Sequence, residues 1–282
     1  VNSVNFSHNY EPKSGFIISG GEDRTLQLWS YTEGLLSTKE HEAGVTSVSF
    51  SQDGKYIVSS SFDSSLRLWT IVDRRHLLEL AAFRGHEGNV NSVAITTNNK
   101  TLISGGDDKT VRVWSTQGQP SQPLVKDEPE GGVVNSVAFS PDGQYIVGGN
   151  SVGSMGIWNL QGRFLPNLIR HEKQVNSVTF SPNSKYIISG SDDKTIRFLL
   201  LKGKLLKIFK QPDIVGSVAI SHNGQYIASG SINTDGKISL WSVAGQGQSL
   251  QMQLLREMKH QGGVYSVAFS PDSKCIVSGS RD

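Results

Sequence analysis

Short runs rich in Val, Ile, Tyr and Phe recur along the whole chain, each alternating with Ser, Thr or charged residues at a period of two. Such segments bury one face and expose the other, which predicts β-strands rather than helices. From Val175 to Phe209 the order is Val175-Asn-Ser-Val-Thr-Phe-Ser-Pro, Lys185-Tyr-Ile-Ile-Ser-Gly, Lys194-Thr-Ile-Arg-Phe and Leu205-Leu-Lys-Ile-Phe, separated by Ser, Pro, Asn, Gly and Asp-Lys turns. This predicts four strands joined by tight turns. Leu77 to Phe83 reads as helix in isolation, but its place in the repeating order makes it an outer strand.

The same order returns at a fixed interval. A Val-x-Ser-Val tetrapeptide opens it at Val1, Val45, Val90, Val134, Val175, Val215 and Val264, with spacings of 44, 45, 44, 41, 40 and 49 residues. Four-stranded propeller blades repeat every ~40–45 residues. Propellers grow by adding blades around one ring, so a single all-β domain over residues 1–282 is expected in spite of its length. The seventh unit ends at Asp282 after two strands and a turn residue. Six complete four-stranded antiparallel blades plus a truncated seventh are therefore expected, as in a fragment of a longer protein.

Within each unit, certain polar residues keep their places. His41, Ser59, Asp63 and Trp69 recur one unit later as His86, Ser104, Asp108 and Trp114. Units end on Trp29-Ser30, Trp69-Thr70, Trp114-Ser115, Trp158-Asn159 and Trp241-Ser242, whereas unit five carries Leu199-Leu200. A histidine stands four residues before the opening Val at His41, His86, His171 and His260, with Glu130 and Gln211 at that place in units four and six. With these residues the chain resembles the WD-repeat β-propeller family, in its bacterial tandem-repeat form, over essentially its whole length. The family's Gly-His pair survives whole only as Gly85-His86, and its Trp-Asp pair only in the Trp. The resemblance implies that each tetrad is a hydrogen-bond network: Asp orients His, His meets Ser, and Ser meets the indole N–H. A Ser-His-Asp set also invites a hydrolase reading. Its repetition in unit after unit assigns it to the fold, since a catalyst needs one site.

Other chemical signatures fail on context. Gly149-Asn-Ser151-Val-Gly153 matches the G-x-S-x-G elbow, which needs a following helix, yet Met155-Gly-Ile-Trp predicts a strand. That unit has Gly148 and Val152 where the tetrad Ser and Asp would sit. The His41-Glu42, His86-Glu87 and His171-Glu172 pairs lack the second His of a zinc protease helix. Asp107-Asp108 and Asp192-Asp193 lack the other ligands of a calcium loop. With no P-loop, dinucleotide fingerprint or Cys-x-x-Cys, no cofactor and no metal are expected.

Composition adds limits. The 36% hydrophobic residues, with 30 Gly counted in addition, approach the usual globular share of about 45–50%, enough for a core. Lys and Arg total 27 against 25 acidic residues, with no basic block to track phosphates, so nucleic acid is not an expected partner. The longest apolar runs fall far short of the ~18 residues of a membrane span, so no membrane partner is expected. A single cysteine, Cys275, fits a reducing compartment, and cytoplasmic location is the expectation.

The resemblance also implies which face meets partners. Two positions per blade carry it: the residue after the opening Val and the residue before the tetrad Asp. The first set is Asn2, Thr46, Asn91, Asn135, Asn176, Gly216 and Tyr265, and the second is Glu22, Phe62, Asp107, Ser151, Asp192, Thr234 and Arg281. Four asparagines in the first set read either as a polar channel mouth able to grip peptide backbone or as residues suited to strand entry. Phe62 and Tyr265 are the strongest single candidates, because aromatic residues and Arg dominate interface hot spots. The expected function is a non-catalytic protein-interaction scaffold, the propeller of a larger bacterial signalling or regulatory protein, with proteins, peptides and other domains of the same chain as partners. The alternative, an enzyme acting on a small molecule at the central channel, lacks His and acid in the channel-mouth set. The Pro-bearing segment 118–132 and the Gly/Gln-rich segment 244–249 read as irregular outer connections.

Overall fold

The computed structural model describes residues 1–7, 15–117, 126–127, 131–165, 169–233 and 236–281. Every regular element among them is a strand, apart from one 3-10 turn at Gly247–Ser249. The strands form seven antiparallel sheets, six of four strands in chain order and a seventh of two, Val264–Phe269 and Ile276–Ser280. The innermost strands are Ser3–Phe6, Val45–Phe50, Val90–Ile95, Val134–Phe139, Val175–Phe180, Val215–Ile220 and Val264–Phe269. Each lies against the next, and the seventh lies against the first, so the sheets are blades of a ring. Val4 N–H donates to Ser266 Oγ at 3.1 Å, and the Val1 amine donates to the Ser280 carbonyl at 2.9 Å.

The Val-x-Ser-Val serine explains how the ring is tied. Ser3, Ser47, Ser92, Ser136, Ser177, Ser217 and Ser266 each accept, on Oγ, the N–H of the second Val of the neighbouring tetrapeptide: Val48, Val93, Val137, Val178, Val218, Val267 and Val4. Each edge N–H that the inner strand would leave unpaired is thereby satisfied by the preceding blade. Six buried hydrophobic clusters fill the interfaces of successive blades from the first to the seventh. The opening Val of six of the seven tetrapeptides, all but Val90, seats against a glycine of the neighbouring blade. A Cβ on Gly105 would lie 2.3 Å from Val134 Cγ1, and one on Gly149 2.6 Å from Val175 Cγ1.

The inner strands of blades 2 to 7 are bulged at the x position, in blade 3 with the shift opposite Asn91 falling between Gly105 and Gly106. Register shifts fall between Val45 and Ser47, Val134 and Ser136, Val175 and Ser177, Val215 and Ser217, and Val264 and Ser266. Bulges re-aim a side chain away from the ladder, and this one frees Thr46, Asn135, Asn176, Gly216 and Tyr265 from strand alternation. Outer strands vary most. Leu77 to Phe83 lies in the nine-residue strand His76–Arg84, while the fourth strands of blades 3 and 4 are only Lys126–Asp127 and Ile169–Arg170. Apart from Lys126–Asp127, Gly131 and Gly132, the Pro-bearing connection is outside the described residues, as are Glu130, Thr234 and Asp282. Around Gly149 the chain runs strand, turn, strand, with no helix after Ser151.

Candidate functional site

Blades 2, 3 and 5 contain a buried imidazole held by the same frame. Nε2 of His41, His86 and His171 meets the hydroxyl of Ser59, Ser104 and Ser189 at 2.8, 2.6 and 2.7 Å. Nδ1 of the same residues faces Asp63, Asp108 and Asp193 at 3.3, 2.9 and 2.8 Å. Trp69 and Trp114 donate their indole N–H to Ser59 and Ser104, both at 2.8 Å. In blade 5, Leu199 replaces the Trp and is itself buried. These imidazoles have no exposed side-chain surface, so the network supports the fold and offers no route to a substrate.

The carboxylates have more partners than the tetrad pattern foresaw. Asp108 Oδ1 accepts the N–H and hydroxyl of Thr110 at 3.2 and 2.8 Å, while Oδ2 takes the Glu87 N–H at 3.2 Å and the Arg112 guanidinium at 3.1 Å. Asp193 is served in the same way by Thr195, Glu172 and Arg197. The missed signal is Asp-x-Ser/Thr-x-Arg, visible as Asp63-Ser64-Ser65-Leu66-Arg67 and its counterparts. Burial pushes the Asp108 carboxyl up, but hydrogen bonds from His86, Thr110 and Glu87 outweigh it and hold the group well below the usual carboxylate range. Asp63 and Asp193 are lowered by the same balance, burial opposed chiefly by Ser65 and Thr195. Burial lowers His41, and it lowers His171 to about 4 in spite of Asp193 beside it. A neutral imidazole with Nδ1–H on the carboxylate and Nε2 accepting the serine hydroxyl satisfies both ring nitrogens and leaves the serine lone pairs for the indole N–H.

The remaining blades depart from this frame. Blade 4 has Asn150 where a carboxylate is absent, its Oδ1 accepting the Val152 and Ser154 N–H groups at 3.1 and 2.8 Å. Blade 6 keeps the Ser229–Trp241 bond at 3.0 Å, and Asp213 receives Ser231 Oγ at 3.0 Å. Blade 7 keeps His260 on Ser278 at 2.9 Å. Blade 1 keeps Ser19 on Trp29 at 2.9 Å.

The channel-mouth asparagines act as clasps between blades. The amides of Asn2, Asn91, Asn135 and Asn176 donate to the carbonyls of Val45, Val134, Val175 and Val215 at 3.0, 3.2, 3.0 and 3.0 Å. Asn91 and Asn176 give their second amide hydrogen to Asp107 and Asp192 at 2.8 and 2.7 Å, which commits those two carboxylates as well. Thr46 reaches the Val90 carbonyl in the same fashion. Both amide hydrogens of Asn91 and Asn176 are thereby used, so gripping a peptide through either donor would break a clasp. The series stops at Gly216 and Tyr265, which have no side-chain amide.

The other candidates gather on one sector. Asn2, Glu22, Tyr265 and Arg281 line a single cavity of about 220 Å³ between the first and seventh blades, together with Ser19, Asp23, Thr25 and Gln27. Phe62 adjoins it across the first interface: its ring edge and the Glu22 backbone both press on Gly44, where an added Cβ would lie 3.0 and 3.2 Å from them. Phe62 and Tyr265 remain 41% and 40% exposed, enough for contact with a partner. Ser151 is turned to its own blade, accepting the Val133 N–H at 3.0 Å. The central channel holds a cavity of about 510 Å³ lined by inner-strand Ser, Ala, Thr and Val residues, and His222 is the titratable side chain on its wall. Among the described residues, no three His, Cys, Asp or Glu side chains are grouped to hold a metal, and no helix is long and apolar enough to cross a membrane.

Comparison with known proteins agrees with this geometry. The family model for the WD domain, G-beta repeat, matches residues 1–30, 33–70, 78–115, 122–159, 162–198, 203–242 and 252–282. The human serine-threonine kinase receptor-associated protein is 40% identical over 68 residues, 23% of this chain and 19% of its own length. Protein HIR1 of Eremothecium gossypii is 35% identical over 79 residues, covering 23% of this chain and 9% of its own. Ribosome assembly protein 4 of Saccharomyces cerevisiae is 39% identical over 56 residues, 19% of this chain and 11% of its own. The matched stretches therefore span a small part of each relative. These relatives are eukaryotic, so they lend no support to the bacterial form expected from the sequence. Seven matched repeats, seven sheets and a recurring buried tetrad place this chain in the WD domain, G-beta repeat family.

Proposed function

We propose that the chain is a non-catalytic binding platform whose partner, a protein or peptide, docks on the sector formed by blades 7, 1 and 2. The observation that carries this reading is the gathering of Asn2, Glu22, Tyr265 and Arg281 at the seam of blades 7 and 1, with Phe62 beside Glu22, which puts two exposed aromatic rings and charges of both signs on one sector. Asp107, Asp192, Asn91, Asn135 and Asn176 belong to the other sector, where their hydrogen bonds hold the ring together, and they contribute shape more than energy. Hot spots concentrate in aromatic and Arg side chains beside a pocket, which is the arrangement here. The tetrads, sealed and repeated, serve stability. On the same reading the platform works within a bacterial signalling or regulatory protein in the cytoplasm and engages other domains of that parent; the genomic flanks of the coding sequence test that part.

The docking sector is tested by affinity capture from a matched lysate. Phe62→Ala and Tyr265→Ala should each weaken binding by about 2 kcal/mol, and Arg74→Ala on the rim should leave it unchanged. Salt dependence should be shallow, because no phosphate-tracking patch releases counterions. Capture that survives both aromatic substitutions but fails with Arg74→Ala would place the site on the rim instead.

A further inference from the structure

The formal charge of this chain is unevenly placed. Residues 175–210, which form blade 5, carry seven Lys and Arg against two Asp, a net +5 in a chain whose total is +2. Both carboxylates are committed within the blade and its inner contacts: Asp192 accepts the Asn176 amide, and Asp193 is held by His171, Thr195 and Arg197. The rim of the blade is left to Lys202, Lys204, Lys207 and Lys210, in and just before the outer strand Leu205–Lys210. Lys207 reaches the Gln248 carbonyl, while Lys204 and Lys210 are exposed.

The other outer strands differ. On the rim of blades 1 and 2 the guanidiniums are already matched, Arg75 with Glu33, Arg84 with Glu42 and Arg67 with Glu79. The outer strand of blade 1, Gly34–Glu40, sets Lys39 beside Glu40, and that of blade 6, Gln251–Lys259, sets Arg256 beside Glu257. Among the described outer strands of more than two residues, only that of blade 5 carries a single sign of charge.

The backbone of this strand is open as well. Lys210 pairs with Thr195, and the Gln211 N–H donates to the Lys194 carbonyl at 2.7 Å. Antiparallel hydrogen bonding alternates along a strand, so Lys207 and Phe209 turn their backbone groups inward while Ile208 and Lys210 turn theirs outward. The outward Lys210 carbonyl is capped at 3.2 Å by the side-chain amide of Gln211, a place that an incoming N–H can take. Ile208 is 44% exposed, so an aliphatic contact lies beside the open backbone.

We infer that the outer strand of blade 5 is a second docking edge, which takes an extended acidic segment of a protein partner as an added strand. Main-chain bonds to Ile208 and Lys210 hold the segment, and its carboxylates meet the lysines. Lysines on an edge oppose pairing with a like-charged edge, which disfavours a second copy of this strand and favours an acidic one. Leu205 and Ile208 make too small an apolar face to lie on a membrane, whereas strand addition draws on the backbone. Blade 5 stands across the ring from blades 7, 1 and 2, so this edge is independent of the docking sector proposed above.

The test is fluorescence anisotropy of the whole chain with a labelled, capped Glu-Val-Glu-Val-Glu-Val-Glu peptide at about pH 7.5, where Glu and Lys are both ionised. Saturable binding is expected, and Lys204→Glu combined with Lys210→Glu should weaken it about tenfold. The same double reversal at Lys55 and Lys100, which changes net charge equally, should weaken it by less than about twofold. All four side chains are exposed, so the fold is kept. A peptide with Pro in place of the central Val lacks a main-chain donor and should bind about tenfold more weakly. Amide exchange should slow within residues 205–210 when the peptide binds. Absence of saturable binding, equal loss from the two double reversals, or slowed exchange confined to another blade overturns the edge; equal affinity for the Pro peptide overturns strand addition. Preference for phosphatidylserine vesicles or oligothymidylate over the peptide overturns the acidic protein segment as partner. Phe62→Ala should leave peptide binding unchanged, so failure of the docking sector and failure of this edge are told apart.

Discussion

Blades 1 and 3 make the same serine–indole bond, partly exposed in the first and fully buried in the second. Ser104 and Trp114 are 0% and 2% exposed, whereas Ser19 is 8% exposed and Trp29 half-buried. In both blades the serine and the tryptophan sit on paired second and third strands, in registers that place Ser104 opposite Arg112 and Ser19 opposite Gln27. The bond therefore follows from register alone. What differs is the layer above it: His86, Asp108 and Arg112 close blade 3, whereas the place of that histidine in blade 1, four residues before Val1, lies outside the sequence. The comparison separates a pair dictated by strand pairing from a cover supplied by the segment that precedes each inner strand.

The contrast is most easily broken by acid. His171 titrates at about 4 in the fold against 6.5 when free, so between these values the unfolded chain binds protons that the folded chain does not. Stability therefore falls as pH drops through that window, by up to about 3 kcal/mol from this group. Lowered His41 adds to the loss, and the lowered carboxylates of Asp63, Asp108 and Asp193 extend it below the carboxylate range. Hydrogen exchange across pH 7 to 4 should show blades 2 and 5 opening before blade 1; simultaneous opening would mean the buried imidazoles are not the weak points.

Next in size is Asp108→Ala, which strands His86, Thr110 and Arg112 in a buried setting and should cost about 3 kcal/mol or more by urea denaturation. The matched Asp23→Ala should cost less than about 1 kcal/mol, and equal costs would erase the distinction between the blades. His86→Ala should cost about 1–3 kcal/mol through the unpaired Ser104 hydroxyl and Asp108 carboxylate, with no loss of any turnover. The smallest effect belongs to the ring clasp. Ser92→Ala removes the partner of the Val137 N–H and should cost about 1 kcal/mol, a value that Ser266→Ala at the closing interface should match.

Much of the architecture is local and so was legible in the chain. The period-two alternation and the Val-x-Ser-Val interval located every inner strand, because strand faces depend on residues two apart. The tetrad partners were also legible, since each lies at a constant separation, 18 residues from His86 to Ser104 and 22 from His86 to Asp108. Side-chain reach between blades was not. The serine of Val-x-Ser-Val and the asparagine before it look like ordinary strand residues until the next blade stands beside them, about one repeat away. The asparagines consequently read either as a polar mouth or as residues suited to strand entry, and the bond of their amides to the neighbouring blade is visible only in the structure.

Ring closure decided the rest. Val4 meets Ser266 across 262 residues and Val1 meets Ser280 across 279, contacts that no local pattern encodes. Closure alone brings Tyr265 and Arg281 to Asn2 and Glu22 and opens a cavity among them. The sequence by itself determined the strands, their order and the buried tetrads, because those follow from alternation and fixed spacing. Which exposed residues share a surface was set only by tertiary structure, because the ring's curvature places the last blade against the first.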